Sequence, residues 1–393
     1  MELKVKEPKV RFGEFTGDWE ECKLEDILDE FSSKSRIENE HVVLSSTNSG
    51  MEIRGGRVSG NSNLGYKIIE DGDLVLSPQN LWLGNININN IGVGLVSPSY
   101  KTFKIKNINS GFLGSQLRMP RMLEAYKNSS TQGASVVRRN LELDSFYQIT
   151  INTPSKNEQD RINTLFKNIN KTIEFKENQL EQLKESKKTL LSKMFPKEGV
   201  DRPEIRFAGF TDPWEQRKLK DIAQFNPKTV LPDEFEYVDL ESVVGTEMIS
   251  HRTESKDQAP SRAQRLAQKG DVFYQTVRPY QMNNYLYDLP HDNYVFSTGY
   301  AQMRPNIDSY FLLNSVQNKQ FVQHVLDRST GTSYPAINSS DLSNIEIHVP
   351  SKLSEQQKIG EFFKKLDDTI TLHQQELENL KALKKTLLNL MFV

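Results

Sequence analysis

Residues 8–27 read PKVRFGEFTGDWEECKLEDI, and residues 203–222 read PEIRFAGFTDPWEQRKLKDI. Eleven of these twenty positions are identical at an offset of 195 residues. A second pair of segments, 158–195 (EQDRINTLFKNI, ending LKESKKTLLSKMF) and 355–392 (EQQKIGEFFKKL, ending LKALKKTLLNLMF), is identical at 18 of 38 positions. Because each offset is about half of the 393 residues, the chain is a tandem duplication with two near-equal halves.

The stretches between the repeated segments share little sequence. Residues 28–150 and 223–345 have in common a Gly-Asp turn, at Gly72 and Gly270, and a Pro-Ser-Lys after the last strand. Ordinary divergence of exposed loops after duplication explains this difference. The difference is also explained by a duplicated frame that carries two inserts with the same task on different targets, and the residues leave both interpretations open.

The second repeated segment is typical of a long helix with a coiled-coil stripe. Its apolar residues recur at alternating spacings of four and three, which is the a/d pattern of a heptad repeat. A stripe about 57 Å long cannot be buried by its own helix, so we predict that the two helices pair with each other. The alternative is that each stripe packs on its own globular domain. The predicted pairing residues are Ile162, Phe166, Ile169, Ile173, Leu180, Leu183, Leu190, Ile359, Phe363, Leu366, Ile370, Leu377, Leu380 and Leu387.

The direction of pairing is predicted from charge. A parallel in-register pair would place Lys187 opposite Lys384, whereas antiparallel pairing separates these like charges. We therefore predict an α+β fold. Two mixed α/β domains are separated by two long helices, which pair as an antiparallel coiled coil with pseudo-two-fold symmetry.

Each insert is predicted to contain several short strands and one short helix. The helices are placed at residues 113–126 and 309–326, and the turn-rich run 48–63 is predicted to be an exposed loop. The predicted strands span residues 73–78, 92–97, 100–105, 147–152, 271–277 and 344–349.

Composition argues against several classes of protein. The net charge is −2, and the regions 1–157 and 200–353 have net charges of 0 and −4, whereas a stand-alone nucleic-acid-binding protein is usually basic. The single cysteine, Cys22, excludes an intramolecular disulfide and a cysteine-based zinc site, and it fits a reducing, cytoplasmic location. No apolar run approaches the roughly 18 residues of a membrane helix, and the N-terminus has no signal-peptide pattern. We predict no membrane partner.

The sequence contains no recognisable catalytic motif. It has no phosphate-binding loop, and its six histidines are scattered without the spacing of metal ligands. Asp71-Gly72-Asp73 lacks further carboxylates at calcium-loop spacing and is predicted to be a tight turn. Asp367 and Asp368 are predicted to be solvated. We predict no catalytic residue and no metal site.

Binding is the remaining kind of function. Arg, Gln and Asn are the side chains that make bidentate contacts with base edges, and such residues follow the Gly-Asp strand in both inserts. Ordinary surface polarity explains the same residues, so this pattern alone does not decide the matter.

The repeated motifs together resemble the specificity subunit of type I restriction–modification systems. Each half begins with R-F-x-x-F-T-x-x-W-E, followed by a variable region, a Pro-Ser-Lys, and a heptad helix that starts Glu-Gln and ends L-L-x-x-M-F. The resemblance covers nearly the whole chain. It implies a non-catalytic subunit whose two target-recognition domains each read one half of an asymmetric bipartite DNA sequence, while the helices set the spacer and dock two methyltransferase subunits.

The resemblance also implies partners, cofactors and domain boundaries. Motor-nuclease subunits would complete the complex. S-adenosylmethionine, ATP and magnesium would be bound by the partner subunits and not by this chain. The implied segments are an N-terminal conserved segment at 1–19, target-recognition domain 1 at 20–155, a central conserved helix at 156–199, a repeated conserved segment at 200–214, target-recognition domain 2 at 215–351, and a C-terminal conserved helix at 352–393.

Members of this family read DNA through loops that close each domain and through the strand after the Gly-Asp turn. Carried onto this sequence, the resemblance nominates residues at those places, and local clusters of arginines add Arg54, Arg57 and Arg138, which gives twelve predicted DNA-contacting residues. They are Arg54, Arg57, Gln79, Asn80, Arg138, Gln275, Arg278, Tyr280, Gln281, Asn283, Thr332 and Tyr334. The alternative function is a two-headed scaffold, in which each insert binds a protein or a glycan and the coiled coil acts as a spacer.

Overall fold

A computed structural model describes residues 7–55, 62–132 and 139–393. The chain divides into two compact units. The first unit comprises Met1–Glu177 together with Glu376–Val393, and the second comprises Asn178–Gln375. Both ends of the chain therefore contribute to the first unit.

The first unit contains short strands and helices. Its strands are β1 (Glu20–Lys23), β2 (Leu28–Phe31), β3 (Leu44–Ser46), β4 (Met51–Ile53), β5 (Lys67–Ile69), β6 (Leu74–Leu76), β7 (Ile86–Ile88), β8 (Gly94–Val96), β9 (Lys101–Ile105), β10 (Ser130–Gln132), β11 (Arg139–Leu141) and β12 (Thr150–Thr153). Its helices are α1 (Leu24–Ile27), α2 (Ser110–Gln116), α3 (Pro120–Asn128), α4 (Leu143–Tyr147) and the first part of α5 (Lys156–Lys193), with a 3-10 helix at Leu81–Leu83.

The second unit is built from the same kinds of element. Its strands are β13 (Glu215–Lys218), β14 (Ala223–Phe225), β15 (Glu234–Val238), β16 (Val243–Val244), β17 (Glu247–Met248), β18 (Arg252–Ser255), β19 (Ala263–Leu266), β20 (Val272–Gln275), β21 (Tyr285–Leu286), β22 (Tyr294–Ser297), β23 (Tyr300–Pro305) and β24 (Glu346–Val349). Its helices are α6 (Leu219–Ile222), α7 (Ser309–Val316), α8 (Lys319–Asp327), α9 (Ser339–Ser343) and the first part of α10 (Leu353–Met391), with a 3-10 helix at Pro279–Gln281.

Each insert contains a four-stranded sheet with the same arrangement of strands, although the two inserts have little sequence in common. The first unit has an antiparallel sheet in the order β2-β9-β6-β7, and the second has one in the order β14-β23-β20-β21. In both sheets the third strand follows the Gly-Asp turn. Gly72 and Gly270 have φ values of 87° and 95°, a left-handed conformation that favours glycine.

The aspartates of the two Gly-Asp turns are buried and charge-paired with the neighbouring strand. Asp73 lies 2.8 Å from the Lys104 ammonium, and Asp271 accepts two bonds of 2.9 Å from the Arg304 guanidinium. Each aspartate also accepts a backbone N–H three residues upstream, which closes the tight turn. The predicted turn at 71–73 is thereby confirmed.

The two units differ in the rest of their strands. The second unit has a further four-stranded sheet in the order β18-β15-β22-β19, with β15 and β22 parallel. In the first unit the corresponding region of the sequence forms two-stranded pairs, β3-β4 and β5-β8. The two inserts therefore have the same central four-stranded sheet, and they differ in the strands outside that sheet.

The long helices pair antiparallel, as predicted. In the first unit the Phe166 and Phe392 rings are 5.8 Å apart, whereas Lys176 contacts Glu376 at 2.6 Å, so numbers rise along one helix as they fall along the other. In the second unit Lys187 contacts Asp367 at 2.5 Å. All fourteen predicted pairing residues are buried or half-buried.

Each repeated aromatic segment packs with the end of a long helix. In the first unit, Trp19 contacts the Phe392 ring with centroids 6.2 Å apart, and it is 1% exposed. In the second unit, Trp214 contacts the Phe195 ring at 6.0 Å. The Met-Phe that ends each long helix thus fills a core that the Arg-Phe…Trp segment closes.

The repeated arginines form buried ion pairs with the start of a long helix. Arg11 donates two bonds of 2.8 Å to the Glu158 carboxylate, and Arg206 donates bonds of 2.7 and 2.9 Å to Glu355. Both glutamates are buried, with 1% and 2% of their surface exposed. A bidentate guanidinium fixes orientation as well as charge, so each pair joins the repeated segment to its helix.

Two helix predictions were wrong in their extent. The helix predicted at 113–126 is two helices, α2 and α3, because Pro120 has no N–H to donate and begins a new helix. The helix predicted at 309–326 is likewise α7 and α8, since the Asn318 side chain accepts the Gln320 N–H and caps a second start.

Three smaller predictions also need correction. The run 48–63 contains strand β4, which pairs with β3, and its residues 56–61 lie outside the described residues. The strand predicted at 147–152 begins at Thr150, because Tyr147 ends α4. Asp367 is not solvated, since its side chain is 29% exposed and paired with Lys187.

Among the described residues, none of the helices combines the length and the apolar content that a bilayer crossing requires.

Candidate nucleic-acid interface

Two separate segments nominated from the sequence meet in the second unit. The loop that follows β20 carries Arg278, and the closing loop carries Tyr334. The Arg278 N–H donates to the Pro335 carbonyl at 2.8 Å, and Val277 forms an antiparallel bridge with Ala336. The backbone therefore holds the two loops side by side.

The nominated side chains of these loops are mostly exposed. Tyr280 and Tyr334 are 50% and 65% exposed, and Gln281 and Thr332 also face solvent. The Arg278 guanidinium carbon lies 4.7 Å from the centroid of the Tyr334 ring, which is a cation–π contact. We call Arg278, Tyr280, Gln281, Thr332 and Tyr334 the Arg278 surface. It combines a cation, two aromatic rings and polar groups, the mixture found in surfaces that bind nucleic acid.

Gln275 lies beneath this surface and not on it. Its side chain is 2% exposed, and its amide donates to the Val277 carbonyl at 2.6 Å and to Gln281 Oε1 at 2.8 Å. This burial is at odds with the predicted direct contact with DNA. The geometry gives Gln275 the role of holding the loop.

Asn283 also supports the backbone. Its Oδ1 accepts the Gly245 N–H at 2.9 Å, which ties the loop after β20 to the turn between β16 and β17. Its side chain is half-buried, so a DNA contact stays a prediction for this residue.

The sequence did not predict further residues that position the Arg278 surface. Asn284 Oδ1 accepts the Gln275 N–H at 2.8 Å, and the Thr276 carbonyl accepts the Ile337 N–H at 3.0 Å. Asn284 is next to the nominated run, but nothing in the sequence indicates that its side chain turns inward. Loop-to-loop backbone bonds of this kind leave no signal in residue types.

The same pair of loops meets in the first unit. The loop after β6 carries Gln79 and Asn80, and the Arg139 N–H at the start of β11 donates to the Gln79 carbonyl at 3.3 Å. Gln79 is exposed and Asn80 is half-buried. The nominated Arg138 lies outside the described residues, so its DNA contact stays a prediction.

Arg54 lies just after the β3–β4 hairpin of the first unit. Its N–H donates to the Val43 carbonyl at 2.9 Å, and its side chain is half-buried. The hairpin is held to β7 by the Asn87 amide, which donates to Ser46 and Thr47. Arg57 lies outside the described residues, and its nomination also stays a prediction.

Other arginines of the second unit are neutralised or buried within the fold. Arg252 contacts Asp239 at 2.7 Å and Glu254 at 2.8 Å, and it also lies over the Tyr237 ring. Burial lowers the pKa of the Arg265 guanidinium, and within the described residues no carboxylate forms an ion pair with it. The pairing of Arg252 explains how a domain can contain arginines without presenting a broad basic face.

No group of three or more His, Cys, Asp or Glu side chains in residues 7–55, 62–132 and 139–393 is placed to hold a metal ion. Cys22 is half-buried, and burial raises the pKa of its thiol. A thiol with a raised pKa is a weak nucleophile at neutral pH.

Comparison with known proteins agrees with the motif analysis. Residues 211–382 match the family described as the type I restriction modification DNA specificity domain. The chain resembles the specificity subunits of type I restriction–modification systems. The matched residues include the whole Arg278 surface and most of α10.

Two curated relatives support this resemblance at low identity. The specificity subunit of the type I restriction enzyme HindI from Haemophilus influenzae is 26% identical over 195 residues, which are 46% of this chain and 41% of the relative. The MjaVIII specificity subunit from Methanocaldococcus jannaschii is 23% identical over 289 residues, 69% of this chain and 67% of the relative. The match to the first relative thus spans less than half of that protein.

Two solved structures share the fold across nearly the whole chain. The S subunit of a type I restriction-modification system from M. genitalium aligns with a TM-score of 0.63 at 14% identity, covering 98% of this chain and 99% of the other. A chain from a structure concerned with complex assembly and conformational transition of the type I R-M system aligns with a TM-score of 0.53 at 16% identity, covering 94% and 96%. The predicted fold class is therefore confirmed.

Proposed function

We propose that this chain is the DNA-recognition subunit of a type I restriction–modification complex. The carrying observation is that the specificity-domain match at residues 211–382 contains the Arg278 surface, where two loops present an arginine, two tyrosines and polar side chains together. The first unit has the equivalent loop pair. Each recognition domain, 20–155 and 215–351, reads one half of an asymmetric bipartite target.

The partners follow from this role. The substrate is double-stranded DNA, and the long helices dock two adenine-N6 methyltransferase subunits, to which motor-nuclease subunits are added. The methyltransferases use S-adenosylmethionine, and the motor subunits use ATP and magnesium. This chain is the non-catalytic subunit of the complex, and it works in the cytoplasm, where its DNA substrate lies.

The low net charge of the chain supports a complex in which partner subunits also contact the DNA phosphates. A net charge of −2 offers little phosphate neutralisation, which is the main source of sequence-independent affinity. Partner subunits supply much of that contact. The isolated chain is expected to bind its target weakly, and filter binding at matched salt, with and without the methyltransferase, measures the difference. Tight specific binding by the chain alone would contradict this division of labour.

A methylation map tests the function itself. The chain is co-expressed with its cognate methyltransferase in a host without adenine methylation, and the genome is sequenced for N6-methyladenine. One asymmetric bipartite motif is expected. A stable complex that methylates no motif would instead favour the two-headed scaffold that binds proteins or glycans.

A further inference from the structure

Asn80 and Arg278 occupy equivalent positions in the two units. Each lies eight residues after the glycine of the Gly-Asp turn, on the loop that follows the third strand of the shared sheet. Each is the residue immediately before a 3-10 helix, at Leu81–Leu83 or Pro279–Gln281. The equal spacing is present in the sequence, and the structure adds that both residues precede a 3-10 helix after the same strand of the sheet.

The backbone of Arg278 is held in an uncommon conformation. Its φ of 54° and ψ of 55° are left-handed values that bulky residues rarely adopt. Its N–H donates to Pro335 at 2.8 Å, and its carbonyl accepts the Gln281 N–H at 3.0 Å. Strain that the surroundings enforce is concentrated at functional sites.

The side chain of Arg278 is oriented but not neutralised by the fold. Its guanidinium lies over the Tyr334 ring, its side chain is half-buried, and within the described residues its Nε is buried without a hydrogen-bond partner. The Arg304 guanidinium, by contrast, donates two hydrogen bonds to the buried Asp271 carboxylate. The two terminal amino groups of Arg278 form no hydrogen bond within the described residues, and they are the paired N–H donors that remain for a ligand.

Within the described residues, Asn80 of the first unit likewise forms no hydrogen bond through its side chain. Its backbone is fixed, since its N–H donates to Ser77 at 3.2 Å and its carbonyl accepts the Leu83 N–H at 3.1 Å. Its side chain does not cap the 3-10 helix that follows. The loop thus holds the backbone of both residues while leaving the recognition groups of both side chains uncommitted to it.

We propose that this position is a base-reading position in both units, with Arg278 reading a guanine and Asn80 reading an adenine in the major groove. Arginine matches the O6 and N7 acceptors of guanine, and asparagine matches the N6 donor and N7 acceptor of adenine. The inference rests on the proposed DNA-recognition function. It assigns one base pair of each half-site to one residue.

Single substitutions test the assignment on the methylation map. Arg278→Asn is expected to reduce discrimination at one G·C pair of one half-site by roughly tenfold or more, with the other half-site and the spacer unchanged. Asn80→Ala is expected to relax one A·T pair in the opposite half-site. Arg217→Gln is the matched control, because Arg217 is an exposed arginine on β13 beside Glu215, and its motif should equal that of the wild type.

The outcomes separate this inference from the function on which it rests. A wild-type complex that methylates no bipartite motif contradicts the proposed function. A bipartite motif that Arg278→Asn leaves intact, or that both substitutions change in the same half, overturns the reading position alone.

A DNA-binding measurement tests the assignment even if a variant complex does not methylate DNA. The assembled wild-type complex is bound to duplexes in which one guanine at a time is replaced by 7-deazaguanine, which lacks the N7 acceptor. Affinity should fall at one guanine, and the Arg278→Asn complex should show no further loss there. Undiminished wild-type affinity at every guanine would overturn the assignment.

Discussion

The buried Glu355 carboxylate depends on one residue for most of its charge compensation. Arg206 supplies two short hydrogen bonds, and Trp214 Nε1 adds a longer one of 3.3 Å. Removing one member of a buried ion pair leaves a charge without compensation, which costs more than the pair itself contributes. Glu158 and Arg11 repeat the arrangement in the first unit.

Arg206→Ala should therefore destabilise the protein by about 3–5 kcal/mol, measured as the free energy of unfolding in urea. Arg217→Ala should change it by less than about 0.5 kcal/mol, because its 3.7 Å pair with Glu215 is exposed. Arg206→Met combined with Glu355→Leu should recover much of the loss. An Arg206→Ala variant as stable as Arg217→Ala would show that the buried pair does not join the segment to its helix.

A substitution of Gln275 distinguishes a role in supporting the loop from a direct contact with a DNA base. Gln275→Ala removes the donors to Val277 and Gln281, so the free energy of unfolding should fall by about 1–2 kcal/mol. Because the loop that carries Arg278 loses its support, the methylated motif should become less specific in the same half-site that Arg278→Asn changes. A change confined to a different base pair, with stability unaltered, would instead indicate that Gln275 contacts DNA directly.

The long helices were the most predictable elements. Their heptad stripes identify the buried face and, with the lysine positions, the antiparallel direction. The strands were harder because most have three or four residues, too few for alternation to be distinctive. The break at Pro120 depends on one proline at the first helical position, and the break at Asn318 depends on one capping side chain, so the apolar spacing across each break conceals it.

One polar position of the helix pair is coupled to pH. Burial raises the pKa of the Asp367 carboxyl, and the Lys187 ammonium acts in the opposite direction. A carboxyl whose pKa is higher in the folded than in the unfolded chain contributes stability at low pH, and this contribution is lost as pH rises through the folded pKa.

Lys187→Leu should raise the pKa of Asp367 further and steepen this pH dependence. Relative to the wild type, the variant should lose about 1–3 kcal/mol of unfolding free energy above the folded pKa and less below it. Lys187→Leu with Asp367→Leu should remove the extra pH dependence, while Lys188→Ala, which breaks the exposed pair with Glu185, should resemble the wild type. Parallel stability profiles for the wild type and Lys187→Leu would show that the pair is not coupled to pH.

At the scale of the whole molecule, the duplicated frame and the divergent inserts obey different constraints. The frame repeats buried contacts, such as Trp19 with Phe392 and Trp214 with Phe195, and these require the same residue types in both copies. Apart from the Gly-Asp turn and its ion pair, the four-stranded sheet of each unit requires only apolar side chains on its buried face, so its sequence diverged while its strand order persisted. Sequence comparison therefore finds the frame and the Gly-Asp spacing, and the structure shows that the strand order of the two sheets is the same.

The proposed spacer function predicts the effect of lengthening both helices together. One heptad is inserted in α5 between Glu177 and Asn178, and one in α10 between Gln375 and Glu376, where the chain passes between its two units. Each insertion adds about 10.5 Å of helix, or roughly three base-pair steps of 3.4 Å. Because seven residues preserve the apolar stripe, both helices should still pair.

The methylation map should then show both half-sites unchanged, with a spacer about three base pairs longer. The control replaces Asn178 and Gln375, both exposed, by alanine without changing the length, and its spacer should equal that of the wild type. A heptad inserted in α5 alone should weaken pairing and lower methylation, because the a/d residues of α10 would meet displaced partners. An unchanged spacer in a folded, active double insertion would mean that the helices do not set the distance between the half-sites.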